Sequence, residues 1–373
     1  MLLSVCVPTY NRPKRIAELL GNLVPIIERN GLLGSVEICI SDNSPEKATR
    51  EVVSAAKAKT RARIIYHQNK ENIGFDRNVL KAFSLATAEY AHLISDEDVY
   101  EGRAFLDILA RLGHDAPDSV VFTSLCRNNT DMGKSIRLMT FAKGEFLARM
   151  FSQKNRGIQQ FAYMPSMIIR RKLLAGAMRI INRNLGIFVG TWHMHSPIYV
   201  YAAKNSRRVL VYSESFKKPE KFLPTAHVVT FPSAQVTLYH VQFPNSVIGC
   251  CTTGMISRAE RDLFMKSYLP FELYHLFYFR IFIYPGIYDL EVPKMRSTLK
   301  DMKERYGLGA FQSMWVGAYM GIILSRLPWH LIYSAWILYK KAFRKGNMID
   351  VHKAYAEYLA GQKNLVSVQD WLK

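Results

Sequence analysis

The chain has 373 residues and a formal net charge of +20, from 50 Lys and Arg against 30 Asp and Glu. A hydrophobic fraction of 49% excludes a disordered chain, and five cysteines in this length exclude a disulfide-stapled scaffold. The charge calls for an anionic partner: nucleic acid, an anionic membrane face or a phosphorylated small molecule.

The first 125 residues alternate strand and helix signals. Residues 2–7 are an apolar, partly β-branched run that predicts a strand. Residues 13–29 carry Ile16, Leu19, Leu20, Leu23, Ile26 and Ile27 at helical spacing. Strands are predicted at 36–40, 62–66, 90–94 and 119–123, and helices at 46–59, 76–87 and 105–112. Such alternation implies βαβ units and a mostly parallel sheet covered on both faces. Further on, strands are expected at 166–169 and 208–212, and helices at 171–181 and 192–203. Beyond Pro244 the chain turns helical, aromatic and basic, with its densest aromatic segments at 271–284 and 329–345. Two regions follow: an α/β domain over 1–240 and a mainly helical region over 241–373.

The opening apolar run is too short for a signal peptide, and Arg12, Lys14 and Arg15 follow rather than precede it. A cytoplasmic chain is expected. Cys6 and Cys39 lie in apolar strand-like runs and read as buried thiols. Cys126, Cys250 and Cys251 complete an odd set without zinc spacing. The longest apolar stretch, 308–339, is broken by Arg326, Pro328 and His330, which argues against a simple spanning helix.

In open α/β sheets, ligands sit beyond the carboxyl ends of the strands. Four predicted strand ends carry polar clusters: Pro8-Thr9-Tyr10-Asn11-Arg12, Ser41-Asp42-Asn43-Ser44, Asn69 to Asn78, and Ser95-Asp96-Glu97-Asp98. Asp96 and Asp98, one residue apart in a turn, offer carboxylates to Mg²⁺ or Mn²⁺. The competing structural reading makes Asp98 a helix N-cap. Asp42 in a run of turn formers reads equally as an Asx-turn. Gly74 permits positive φ or a close backbone approach.

The order PTYNR, SDNS, NxG with a following RN, and DxD resembles the family 2 glycosyltransferases with the GT-A fold. The likeness is close over residues 1–125 and extends more weakly to about 215. Within the family it is similar to transferases of bacterial surface polysaccharides, including abequosyltransferase-like members. The resemblance implies an inverting transfer from a UDP, dTDP, GDP or CDP sugar, assisted by Mn²⁺ or Mg²⁺. It implies Asp98 as the more direct metal ligand, with Asp96 on ribose or a metal-bound water. It implies Asp42 on a base imide, and Pro8, Thr9 and Tyr10 lining the base pocket. Arg12, Asn72, Gly74 and Arg77 would then face the sugar and diphosphate. The structural readings of Tyr10, Arg12 and Arg77 are a core aromatic, a solvated cation and a surface arginine.

The family's aromatic-x-Glu-Asp motif supplies its general base. The matching stretch is Gly190-Thr191-Trp192-His193-Met194-His195-Ser196, and its acidic pair is missing. By spacing, His195 takes the position of the Asp, and His193 is the second candidate. Histidine titrates near neutral pH and is competent as a base. Trp192 would stack on an acceptor sugar, or simply pack.

At 329–345, Trp329, Tyr333, Trp336 and Tyr339 precede Lys340, Lys341, Arg344 and Lys345. Aromatics suit the headgroup level and basic residues suit anionic lipids. Peripheral attachment to the inner membrane face is expected, with a lipid-linked saccharide as acceptor. The alternative is a helical appendage that packs on the first domain or forms a homo-oligomer. A nucleotidyltransferase would want a Gly-rich signature that PTYNRPKR lacks. A basic binding protein for nucleic acid would want a recognised motif, and none is present.

Overall fold

The computed structural model describes residues 1–123, 136–152, 158–213 and 243–268. Short apolar runs there assemble one sheet of eight strands. They are β1 (Leu3–Thr9), β2 (Val36–Asp42), β3 (Arg63–Gln68), β4 (Tyr90–Leu93), β5 (Ser119–Phe122), β6 (Arg137–Thr140), β7 (Met167–Arg170) and β8 (Arg208–Tyr212). Their order is β3-β2-β1-β4-β7-β5-β8-β6. The ladders β3/β2, β2/β1, β1/β4 and β5/β8 are parallel. β7 runs antiparallel to both β4 and β5, and β6 is antiparallel to β8. The expected α/β class with a mostly parallel sheet is thus observed, with β7 and β6 as its antiparallel strands.

Helices cover the sheet because their apolar stripes need burial. α1 (Pro13–Arg29) opens with Pro at N1 and buries Ile16, Leu19, Leu20, Leu23 and Ile27. α4 (Gly102–Asp115) adds Phe105, Ile108, Leu109 and Leu112 to the same core as Val5, Val7, Ile38 and Ile40. In sequence order the other helices are α2 (Ala48–Lys57), α3 (Phe75–Ser84), α5 (Glu145–Ser152), α6 (Arg171–Arg183), α7 (Leu185–Phe188), α8 (His195–Asn205) and α9 (Phe243–Thr252). Residues 258–268 are also helical.

Two constraints orient the sheet. At the strand-start end, the buried Glu37 carboxylate on β2 accepts from Ser4 Oγ (2.6 Å), the Thr87 amide (2.7 Å) and the Ala88 amide (3.2 Å), and it pairs with Arg63 (3.0 Å). Burial alone would raise this carboxyl, but those bonds and Arg63 hold it below its ordinary value. At the other end, β1 pairs with β4 only as far as Cys6↔Leu93 but follows β2 to Thr9↔Asp42. Pro8 has no N–H, and a proline within a sheet is confined to places where pairing ends. β4 therefore parts from β1 at Pro8 while β2 stays. The two sides of the sheet's strand order also diverge at this point, where open α/β sheets bind ligands.

Several expectations are corrected. The helix expected from 192 begins at His195, because Trp192 takes φ +56° and cannot continue into it. β6 and α5 lie where no element was anticipated. The chain divides into a unit of Met1–Glu220 with Gln242–Leu269 and a unit of Lys221–Val241 with Pro270–Lys373. Within the first unit, α9 packs on α8 and α7. The aromatic stretches at 271–284 and 329–345, the apolar stretch at 308–339 and Cys126 lie outside the described residues. Cys6, Cys39 and Cys250 are buried free thiols, and Cys251 is a half-buried one. Among the described residues, no helix is long and apolar enough to cross a membrane.

The contact of α6 with α8 depends on Gly176. A Cβ there would stand 2.5 Å from the Tyr201 hydroxyl and 2.8 Å from its ring. Gly113, inside α4, has nothing within 4 Å of the same position. Gly176→Ala is expected to lower stability by about 1–3 kcal/mol through overpacking. Gly113→Ala is expected to raise it by about 0.5–1 kcal/mol through helix propensity. Urea melts of the two variants check the opposite signs, and equal shifts would refute the packing argument.

Candidate active site

Three strand ends and the start of α3 converge where β4 parts from β1. Thr9 Oγ1, at the tip of β1, donates to Asp96 Oδ2 beyond β4 at 2.7 Å. Arg12 donates to Asp96 Oδ1 at 3.2 Å and also holds Glu97. Asp96 is 6% exposed, and burial pushes its carboxyl above the usual value against the opposing pull of Thr9 and Arg12. Asp98, also buried, closes the turn by accepting the Ser95 amide on Oδ2 at 2.7 Å. The N-cap of α4 is Glu101, whose carboxylate accepts the Ala104 amide at 2.7 Å. Asp98 is therefore not that helix's cap.

A net of asparagines locks these tips together. Asn43 donates its backbone N–H to the Thr9 carbonyl (3.0 Å). Its side chain donates to Asn72 Oδ1 (3.0 Å) and the Gly74 carbonyl (3.2 Å). Asn69 donates to Asn43 Oδ1 (2.7 Å) and Asn78 Oδ1 (3.1 Å). Asn78 in turn donates to the Thr9 carbonyl (3.1 Å) and accepts from Ser41 Oγ (2.7 Å). Gly74 caps α3 at φ +80°, the backbone state its identity permits. Asn11 takes φ +53°, tolerable for asparagine, and donates its amide to Ser44 Oγ at 2.8 Å.

Asp42 ends β2 fully buried. Its Oδ1 accepts from the Ser44 amide (2.8 Å) and the Ser44 hydroxyl, and its Oδ2 accepts from Tyr66 Oη at 2.7 Å. The Asx-turn is thus present, and about one of the four acceptor sites of the carboxylate remains. Tyr66, which the sequence did not single out, is raised by burial and by the Asp42 charge. Pro8 is buried, whereas Tyr10 is 47% exposed and is not a core aromatic. Arg77 stands exposed on the first turn of α3 beside the exposed Asn72 and Gly74.

The loop before α8 departs most from expectation. His195 is 2% exposed, and its Nε2 donates to the Ala162 carbonyl at 3.0 Å. Its ring meets Tyr199 at 5.6 Å. Full burial holds its pKa down at about 4. His193 is 1% exposed and packs against His195 (5.5 Å) and Phe243 (5.4 Å). A general base must reach the proton it removes and hold a pKa near the working pH. Both candidate imidazoles are enclosed in this structure, His193 as fully as His195. Trp192 comes to the surface, 52% exposed and stacked on Phe75 at 5.9 Å and 17°. Asp76, in the first turn of α3, was not singled out. It accepts the amides of Gly190 (2.7 Å), Trp192 (3.1 Å) and Met194 (3.2 Å). The only sequence signal was an acidic residue beside NxG.

Among the described residues, no three His, Cys, Asp or Glu side chains gather as a self-sufficient metal site. The acidic turn does fit a hard cation that takes one or two carboxylates and completes its shell with water and phosphate oxygens.

A mostly parallel sheet with a polar, acidic rim at its switch point is the class of a nucleotide-dependent α/β domain. Residues 4–176, a little under half of the chain, match the model of glycosyl transferase family 2. Abequosyltransferase RfbV of Salmonella typhimurium is 40% identical over 98 residues, 26% of this chain and 28% of that protein. The match therefore spans well under half of that relative. Among solved structures, Staphylococcus aureus TarS 1–349 superposes with a TM-score of 0.44 at 16% identity, over 94% of this chain and 95% of that one. A mannosyltransferase, PcManGT from Pyrobaculum calidifontis, in complex with GDP-Man and Mn²⁺, gives 0.41 at 12% identity, over 92% and 88%.

The His195 placement fixes a pH dependence. Above pH about 6.5 neither the folded nor the unfolded chain holds this proton. Below it the unfolded chain binds a proton that the fold refuses until about pH 4. Stability contributed by His195 is therefore lost as pH falls through this window, by about 3 kcal/mol. Urea melts of wild type and His195→Met from pH 7 to 4 are expected to show a shallower slope in the variant. Parallel slopes would contradict the buried, neutral imidazole.

Proposed function

We propose that the chain is a glycosyltransferase that moves a sugar from a nucleoside diphosphate donor to a saccharide acceptor by single displacement with inversion. The observation that carries this reading is the Thr9–Asp96 junction, within the residues that match family 2. It sets an acidic turn where the sheet opens, braced by the hydrogen-bonded tips of β1, β2 and α3. Pro8, Thr9, Tyr10 and the end of β2 at Asp42 flank the place for the base and ribose. Asn72, Gly74 and Arg77 flank the place for the sugar and diphosphate, with Arg12 as a further cation. Asp98, with Asp96, would hold Mn²⁺ or Mg²⁺. Such a metal supplies positive charge to the diphosphate as it leaves. Trp192 is the acceptor contact. The name of the RfbV relative suggests surface polysaccharide as the product class. The aromatic sequence at 271–284 and the aromatic, basic sequence at 329–345 suggest a lipid-linked acceptor met at the inner membrane face.

A thermal-shift panel of UDP, dTDP, GDP and CDP sugars with and without Mn²⁺ tests the donor site. One nucleotide is expected to stabilise the protein in a metal-dependent way, by about 2.7 kcal/mol at a hundredfold excess over Kd. Asp98→Asn is expected to abolish the metal-dependent part. No stabilisation by any member, or full retention in the variant, would sink the reading.

Membrane attachment has its own check. The protein is expected to sediment with phosphatidylglycerol vesicles and not with phosphatidylcholine, and to be released by salt within the Debye regime. Equal recovery with both lipids would remove the membrane from the proposal.

A further inference from the structure

Trp192 has φ +56°, a left-handed backbone that a bulky residue seldom adopts. Its side chain is not what holds it there, since half of it is exposed. Strain of this kind persists only where surrounding groups over-determine it, and it gathers at functional sites. The over-determining group here is Asp76. Its Oδ2 takes the amides of Gly190 and Trp192, and its Oδ1 takes the amide of Met194. Gly190 beside them has φ +93°, so the loop folds around the carboxylate as a small anion-binding nest. The carboxylate is 4% exposed, and burial raises it against the pull of these amides.

The same helix turn carries the other half of the arrangement. Phe75 precedes Asp76 and stacks under the indole at 5.9 Å. Two helical positions on, Asn78 is tied to the Thr9 carbonyl at 3.1 Å, and Thr9 to Asp96. One short helix start thus couples the strand-end rim to the half-buried Phe75 and the exposed Trp192.

Resting on the sugar-transfer reading above, we propose that Asp76 is a positioning residue for the acceptor. It fixes the Phe75–Trp192 pair as a preformed apolar platform at the rim. The ligand class that fits is a pyranose presenting a face of C–H groups, which packs on an aromatic plane while its hydroxyls stay in water. A platform fixed before binding spares the ordering cost of a mobile tryptophan.

The test uses the full chain with its active donor and p-nitrophenyl glycosides of mannose, galactose, glucose and N-acetylglucosamine as acceptors. Asp76→Asn is expected to raise the acceptor KM on the order of tenfold to a hundredfold. Donor KM should stay within about twofold, a split that a general loss of structure would not give. Asp76→Glu should recover part of the loss, because it restores the charge. Amide exchange at Gly190, Trp192 and Met194 should accelerate in Asp76→Asn, a readout that needs no activity. Trp192→Gly covers the case in which Asp76→Asn does not fold. Glycine accepts the left-handed backbone, so this variant should keep its melting temperature and still lose acceptor affinity. Wild-type acceptor KM in either variant overturns the inference and leaves the transferase reading intact. A wild-type protein that transfers no sugar from any donor overturns both.

Discussion

The site depends on one covalent fact, the missing N–H of Pro8. A parallel sheet normally keeps neighbouring strands together to their ends. Here β1 continues with β2 for three residues past its last pairing with β4. The gap this opens is bridged by side chains rather than backbone, through Thr9 and Asp96. A backbone ladder would have filled the space with matched donors and acceptors and left nothing to bind with. The parting converts the end of a buried sheet into a rim whose hydrogen-bonding groups can be shared with a ligand. It does so without an exposed apolar edge, because Asn43, Asn69 and Asn78 satisfy the carbonyl of Thr9 and one another.

That asparagine net explains why a polar cluster can be both buried and rigid. Each amide side chain offers a donor pair and an acceptor, so three of them link three strand ends and a helix start with few groups left over. Replacing any one by an apolar residue would strand the partners of the other two, at a cost of about 1–3 kcal/mol for each buried group left unpaired. The Glu37 cluster does the same work at the opposite end of β2, where Ser4, Thr87, Ala88 and Arg63 surround one carboxylate. The sheet is thus pinned at both ends by polar networks and filled between them by Val, Ile and Leu. This leaves the rim little freedom to adjust when a ligand arrives.

The strand and helix order was legible because local signals and tertiary demands agree there. Apolar runs of five to seven residues that must be covered on both faces read as parallel strands, and α1 shows its stripe plainly. The rim was legible for the same reason: turn formers at strand ends have few alternatives. Less legible was whatever depends on partners distant in sequence. Tyr66 faces Asp42 across 24 positions and Asp76 meets Met194 across 118, and neither pairing leaves a periodic trace. The enclosure of His195 was not legible, because its spacing from an aromatic carries no information on burial. A histidine whose Nε2 donates to a carbonyl inside a helix start looks, in sequence, like one facing a substrate. Trp192 shows the converse. Its sequence fits the first turn of a helix, and only the carboxylate beneath it reveals why the backbone turns the other way.

Electrostatics sharpen the sugar-transfer reading. Asp96, Glu97 and Asp98 put three carboxyls into one turn of a chain whose net charge is +20. Left bare, they would repel the diphosphate that the reading brings to them. Arg12 offsets part of this by pairing with Asp96 and Glu97, with its guanidinium half exposed. The burial of Asp96 and Asp98 raises the need for a cation, because carboxylates withdrawn from water demand compensation. Asp96 and Asp98 would hold a hard divalent ion arriving with the nucleotide, and such an ion would supply that compensation. On the sugar-transfer reading, the acidic turn and the diphosphate would each gain from a cation shared with the other. Metal and nucleotide should therefore bind with positive coupling, each raising the affinity for the other by the same factor.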